Sequence, residues 1–206
     1  MEEFYIPAGP GEAEFTEKRS RFLGHVRPVE NEEQARDFIA AMKKEYYDAR
    51  HNCWCYILRG GPERYSDDGE PQGTAGIPVI DTLKKAGVVD AVVVATRYFG
   101  GILLGGGGLI RAYSHTASIA LAAAHKVTMR ECLLLSLSCD YSLYGKVAAL
   151  VPENGGVVDG TEFLERVQLR FHLDPALLPA LERRLADATS GRCALVEEGK
   201  RFFPFD

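Results

Sequence analysis

The segment from Val88 to Ala124 sets the strongest constraint on the fold. Val88 to Thr96 is dominated by valine, so it has no polar side to turn to water and reads as a strand covered on both faces. Four consecutive glycines, Gly105 to Gly108, follow. Beyond them Leu109, Ala112, Tyr113, Ala117, Ala120 and Ala124 fall on one helical face, and their small side chains predict a closely packed helix over 109–124. Such a chain needs a sheet buried under helices, and 206 residues at 46% hydrophobic can fill a core in one large domain or two small ones.

The rest of the amino-terminal part extends this pattern. Glu14 to Arg27 reads as two strands around Lys18-Arg19-Ser20-Arg21, with Phe22, Gly24 and Val26 alternating against more polar neighbours. Asn31 is a helix cap, and Ala35, Phe38, Ile39 and Met42 recur at helical spacing, predicting a helix over 31–45. His51 to Leu58 is a strand ended by Gly60-Gly61-Pro62. A second helix over 76–86 tolerates Pro78 in its first turn and closes at Gly87.

From Thr128 the grammar changes. Strand 129–139, helix 142–151, strands 157–161 and 164–172, helix 175–188 and strand 193–203 follow in the order βαββαβ, that of a ferredoxin-like split βαβ sandwich. The expectation is an α+β protein of two domains, 1–127 and 128–206.

Several functions are disfavoured at once. No apolar run approaches the roughly 20 residues of a membrane helix, and Met1-Glu2-Glu3-Phe4-Tyr5 lacks a basic start and apolar stretch, so a cytoplasmic protein without membrane contact is expected. A net charge of −5 opposes bulk electrostatic wrapping of nucleic acid but leaves room for a local basic patch. The five cysteines show no metal-knuckle spacing, and Cys53 and Cys55 would share one strand face as core residues, so no metal or cofactor is expected.

Two glycine-rich signatures concentrate the candidate site. The first runs Ser66-Asp67-Asp68-Gly69-Glu70-Pro71 into Gly73-Thr74-Ala75-Gly76; the second runs Thr96-Arg97-Tyr98-Phe99-Gly100-Gly101 into Gly105-Gly106-Gly107-Gly108-Leu109-Ile110-Arg111. The amides of Gly107 and Gly108 at a helix start can cradle an anion such as phosphate, or the glycines permit tight turning and close packing. Asp67, Asp68 and Glu70 suit magnesium or acid–base work, or form an Asp-Gly turn whose carboxylates pair with Arg97 or Arg111. Arg50 and His51, before the strand carrying Trp54, and Lys18, Arg19 and Arg21 in the early turn suit an RNA surface or a solvated one. Ser114 and His115 are adjacent on a helix and point apart, so they make no nucleophile and base; His25, His125 and His172 show no partner.

Lys18-Arg19-Ser20-Arg21-Phe22, Asp48-Ala49-Arg50-His51-Asn52-Cys53, Asp67-Asp68-Gly69-Glu70-Pro71 and Tyr98-Phe99-Gly100-Gly101 closely resemble the IMPACT family, in its bacterial two-domain form, and the resemblance extends through the βαββαβ unit. It implies a first domain like the second domain of a ribosomal small-subunit protein, shared with domain IV of elongation factor G and galactokinase-type kinases. It implies a second domain like domain V of that factor. Eukaryotic relatives accompany translational regulation under amino-acid starvation. The chain departs from the family pattern at Leu103 and Gly106, where lysine and threonine are common.

No nucleophile with a positioned base emerges, so no catalytic residue is assigned and the residues lean toward binding. The expected function is a translation-associated accessory or regulatory protein contacting RNA, the ribosome or a translation factor through Asp67 to Thr74, Arg97 to Gly101 and Gly105 to Arg111. The alternative is an enzyme for a phosphorylated small molecule, with the glycine loop on phosphate.

Overall fold

A computed structural model describes residues 3–205, and its elements run in chain order as β1 (Glu3–Pro7), β2 (Gly11–Glu17), β3 (Ser20–Pro28), α1 (Glu32–Glu45), β4 (His51–Ile57), β5 (Glu63–Ser66), α2 (Gly76–Lys85), β6 (Ala91–Tyr98) and α3 (Gly106–Ala124). There follow β7 (Lys126–Cys139), α4 (Tyr141–Glu153), β8 (Val157–Phe163), β9 (Val167–Leu173), α5 (Leu178–Thr189) and β10 (Leu195–Phe205). The architecture is α+β, in two compact units: Phe4–Thr128, and Met129–Phe205 with Glu3.

In the first unit an antiparallel sheet has the order β2-β3-β6-β4-β5. Its centre is β6, where Ala91 through Ala95 are 0% exposed, as a valine-rich strand requires. Alternation sorts the strands between two layers: Cys53, Cys55, Val93 and Ala95 pack with α2 and α3, whereas Tyr56, Val92 and Val94 pack with α1. The alanine face of α3 allows helix and sheet to approach so closely that a Cβ on Gly24 of β3 would lie 2.7 Å from the Thr116 carbonyl oxygen.

Several boundaries differ from the sequence-based ones for local reasons. β6 starts at Ala91 because Asp90 adopts φ +51°, and its carbonyl and carboxylate take the amides of Val29 (2.9 Å) and Arg59 (2.7 Å). α3 starts at Gly106, so three of the four glycines form its first turn. Gly60-Gly61-Pro62 turns the chain into β5, a strand its sequence did not announce, with Leu58 N–H donating to the Pro62 carbonyl at 3.2 Å. Asn31 does cap α1: its Oδ1 accepts from Gln34 N–H, while Gln34 Oε1 accepts from Glu30 N–H, both at 2.9 Å.

The second unit pairs β7 with β9 and β10, and β9 with β8. Leu135, Leu137, Leu169 and Phe171 form its core with Val147 and Val151 of α4 and Leu181 and Leu185 of α5. His172 is not partnerless: its Nδ1 lies 2.8 Å from Asp159 Oδ1, and its ring stacks on Phe203 with centroids 3.6 Å apart. Among the described residues no helix is long and apolar enough to cross a membrane.

Candidate functional site

The acidic turn between β5 and α2 is held mostly by its own backbone. Asp67 follows the last residue of β5, and its carboxylate accepts the amides of Gly73 (2.8 Å), Ala75 (3.1 Å) and Gly76 (2.8 Å), satisfying orphan donors where α2 begins. Asp68, at φ +43°, turns its carboxylate the other way, accepting Asn52 N–H at 2.7 Å and pairing with Lys43 at 2.6 Å. Thr74 Oγ1 donates to the Pro71 carbonyl at 2.6 Å, closing the loop on itself.

Glu70 points inward. Its Oε1 accepts from Arg97 Nη1 at 2.7 Å and Tyr113 Oη at 2.9 Å, and its side chain is 3% exposed. The charge is buried but paired and doubly hydrogen-bonded, as burial of a carboxylate demands. His51, first residue of β4, places Nδ1 2.8 Å from the Asp68 carbonyl oxygen and Nε2 3.9 Å from Glu70 Oε1. A carbonyl can only accept, so Nδ1 carries the proton and donates. Beneath them Cys53 Sγ donates to the Asp67 carbonyl at 3.0 Å. Burial pushes this thiol from 9.0 up to about 12, and burial also pushes the Tyr113 phenol upward, with Cys53 and Glu70 adding to it. Both groups therefore stay protonated at neutral pH and act as donors.

The loop from β6 to α3 is threaded tightly against the β2–β3 turn. An added Cβ on Gly100 would lie 2.0 Å from the Arg19 carbonyl carbon, so only glycine fits, and Gly100 N–H donates to Ser20 Oγ at 3.2 Å. The loop then shapes a cleft of about 380 Å³ lined by Arg50, His51, Glu70, Arg97, Phe99 and the backbone of Gly105 and Gly106. Arg50 sits over the Phe99 ring at 6.0 Å, and Arg97 is 5.4 Å from the same ring. A second hollow of about 290 Å³ shares Leu104 with it and gathers Lys18, Arg111, His115 and Gly108.

The structure thus sorts the cations that sequence had grouped together. Arg97 is consumed by Glu70, and Arg21 lies exposed with Glu14, its Nε 3.0 Å from Oε2. Lys18, Arg19, Arg50 and Arg111 are exposed and form no ion pair among the described residues. Arg111 takes no turn carboxylate; it lies back along α3, within 3.7 Å of the Cβ position of Gly107. Gly101, at φ +84°, turns the loop in the open, and Tyr98 leaves the cleft, its Oη donating to Asp48 at 2.8 Å. Trp54 does not share a surface with Arg50 and His51, because it faces α1 on the other side of the sheet.

Participants outside the sequence-based site include Tyr113, Ser20, Lys43, Asn52 and Cys53. The helical spacing puts Tyr113 on the packing face of α3, and it does pack there, but a buried phenol also needs a hydrogen-bond partner, which Glu70 supplies.

Fold and site together define a two-unit α+β protein with a cleft built on two glycine-rich loops. The Impact N-terminal domain family model matches residues 18–121, and a domain of unknown function (DUF1949) matches residues 137–192. IMPACT family member YvyE of Bacillus subtilis (strain 168) is 33% identical over 199 residues, spanning 96% of this chain and 92% of that protein. IMPACT family member YigZ of Escherichia coli (strain K12) is 33% identical over 201 residues, spanning 95% and 98%. Protein IMPACT of Mus musculus is 34% identical over 95 residues, 44% of this chain and 30% of that protein. A solved structure described as a crystal structure of an hypothetical protein superposes with a TM-score of 0.60 at 33% identity, covering 97% of this chain and all of the other. The chain belongs to the IMPACT family.

Proposed function

We propose that this protein is a translation-associated accessory or regulatory factor that binds RNA, the ribosome or a translation factor through the cleft face of its first unit. One observation carries the reading: Lys18, Arg19, Arg50 and Arg111 form no ion pair among the described residues, while Asp67, Asp68 and Glu70 are consumed internally and Glu17 is the one exposed carboxylate lining the hollow with Lys18 and Arg111. In a chain of net charge −5 this is a local basic surface, with Phe99 supplying an exposed ring beside Arg50. The protonated Cys53 and Tyr113 favour binding over nucleophilic catalysis.

The finer fold reading goes with it. A second domain, 128–206, like elongation factor G domain V is supported by the element order βαββαβ and the pairing of β10 with β7, β7 with β9 and β9 with β8, and the proposal takes with it a first domain, 1–127, like domain IV of that factor. The alternative, an enzyme of phosphorylated small molecules, draws on one feature: Gly105 caps α3 without a side-chain hydrogen bond, leaving first-turn amides for an anion. Nucleotides or sugar phosphates with magnesium would then raise the melting temperature.

The test is cosedimentation with ribosomes across a salt series. Binding should weaken with salt, and Arg50→Ala and Arg111→Ala should each lower the slope of log affinity against log salt by about 1. Affinity and slope unchanged in both variants would remove this face from the proposal.

A further inference from the structure

The α1 side of the same sheet holds a second recess, built from other residues. α1 covers Tyr56, which is 2% exposed, but leaves Trp54 only partly covered. The two rings lie nearly parallel, 5° apart in plane with centroids separated by 5.9 Å. Tyr56 Oη donates to Glu32 Oε1 at 2.6 Å, which fixes the phenol against which the indole rests. Around this pair is a hollow of about 380 Å³ lined by Glu32, Arg36, Ile39, Lys43, Trp54 and Arg64.

The charges of the recess are unequal, with three cations to one carboxylate. Glu32 is engaged by Arg36 at 2.8 Å as well as by Tyr56. Lys43 bridges outward to Asp68. Arg64, opposite Tyr56 in the β4–β5 register, donates to the Glu63 carbonyl at 2.9 Å and has no ion pair among the described residues. Packing against Met42 and Ile39 accounts for Trp54 as an edge-of-core residue. It does not account for an exposed guanidinium with no ion pair among the described residues beside a partly open indole.

Planar, stackable and anionic describes a nucleotide. We propose that this recess stacks one base of single-stranded nucleic acid on Trp54, with Arg64 toward the adjoining phosphate. A single strand suits it better than a duplex, because paired bases hide their faces in the stack. The site lies on the opposite side of the sheet from the cleft and does not rest on the reading of that cleft.

Trp54 is the only tryptophan in the chain, so its emission reports the recess directly. The full chain is titrated with a short oligouridylate and with the matching abasic sugar-phosphate oligomer. Saturable quenching by the oligouridylate alone is expected, weakened about tenfold in Arg64→Glu and retained in an Arg50→Ala, Arg111→Ala double variant. Trp54→Phe keeps a stacking face and should bind a labelled oligouridylate more tightly, by anisotropy, than Trp54→Leu, which keeps only the packing volume. Equal binding by those two variants, or equal quenching by the abasic oligomer, overturns the proposal. So does anisotropy that reports binding while Trp54 emission stays constant; if that binding disappears in the Arg50→Ala, Arg111→Ala variant, the cleft reading survives alone.

Discussion

Glu70 and Arg97, 27 residues apart in the chain, meet at 2.7 Å with both side chains more than nine-tenths buried. The pair ties the acidic turn to the end of the central strand, and Tyr113 adds a third element through the same carboxylate oxygen.

Removing one partner leaves the other charged and buried. Arg97→Ala should therefore destabilise the first unit by about 3–5 kcal/mol, read as a lower urea midpoint at unchanged slope. Arg97→Lys should restore little of it, because a point ammonium cannot serve Glu70 and Ser20 with the same fork.

Asp67 accepts three amides at the start of α2. Asp67→Ala should cost about 1–2 kcal/mol, with the loss seen in thermal melting and in faster amide exchange at Gly73, Ala75 and Gly76. Asp67→Asn, which keeps one acceptor oxygen, should lose less.

Gly100→Ala places a methyl group against the Arg19 backbone. The β6–α3 loop must shift, at a cost of about 1–3 kcal/mol, and the cleft side chains Phe99 and Arg50 move with it. Calorimetry and the chemical shifts of Ser20 and Gly100 check this.

Alkaline pH should destabilise the protein through its buried thiols and phenols, Cys53 among them. The folded value for Cys53, about 12, lies above its ordinary 9.0, so the folded state holds its proton longer than the unfolded chain. That contribution is complete below about pH 9 and is lost as pH rises toward 12. Tyr98 acts in the same direction, pushed by burial and then by Asp48 from 10.0 to about 12. Urea midpoints falling between pH 9 and 11 would show it, with Cys53→Ala flattening the profile. The native thiol should also alkylate slowly at pH 8, in contrast to the unfolded chain.

Much of the fold was legible because its signals are local. The Asn31 cap, the alanine face of α3 and the valines of β6 each act through neighbours within a turn or a strand pair, so their spacing fixes the element type. Alternation along β4 even separates His51 and Cys53 from Trp54, although the sequence reading had grouped Trp54 with Arg50 and His51. The strand β5 was missed because Gly60-Gly61-Pro62 marks a turn without saying whether a paired strand follows.

The acidic and glycine-rich loops were identifiable as a site from residue type, but their electrostatics were not. Whether Arg97, Arg21, Arg50 or Arg111 is neutralised depends on which carboxylate the fold brings within about 4 Å, and charge interactions at that range are set by register and burial rather than by order in the chain. The sequence by itself determined the family, most of the elements and the two glycine-rich loops as the place of the site. Only the tertiary structure decided that Glu70 and Arg97 neutralise each other inside while Arg50, Arg111 and Lys18 stay outside with charge to spare, because burial compels pairing and solvent does not.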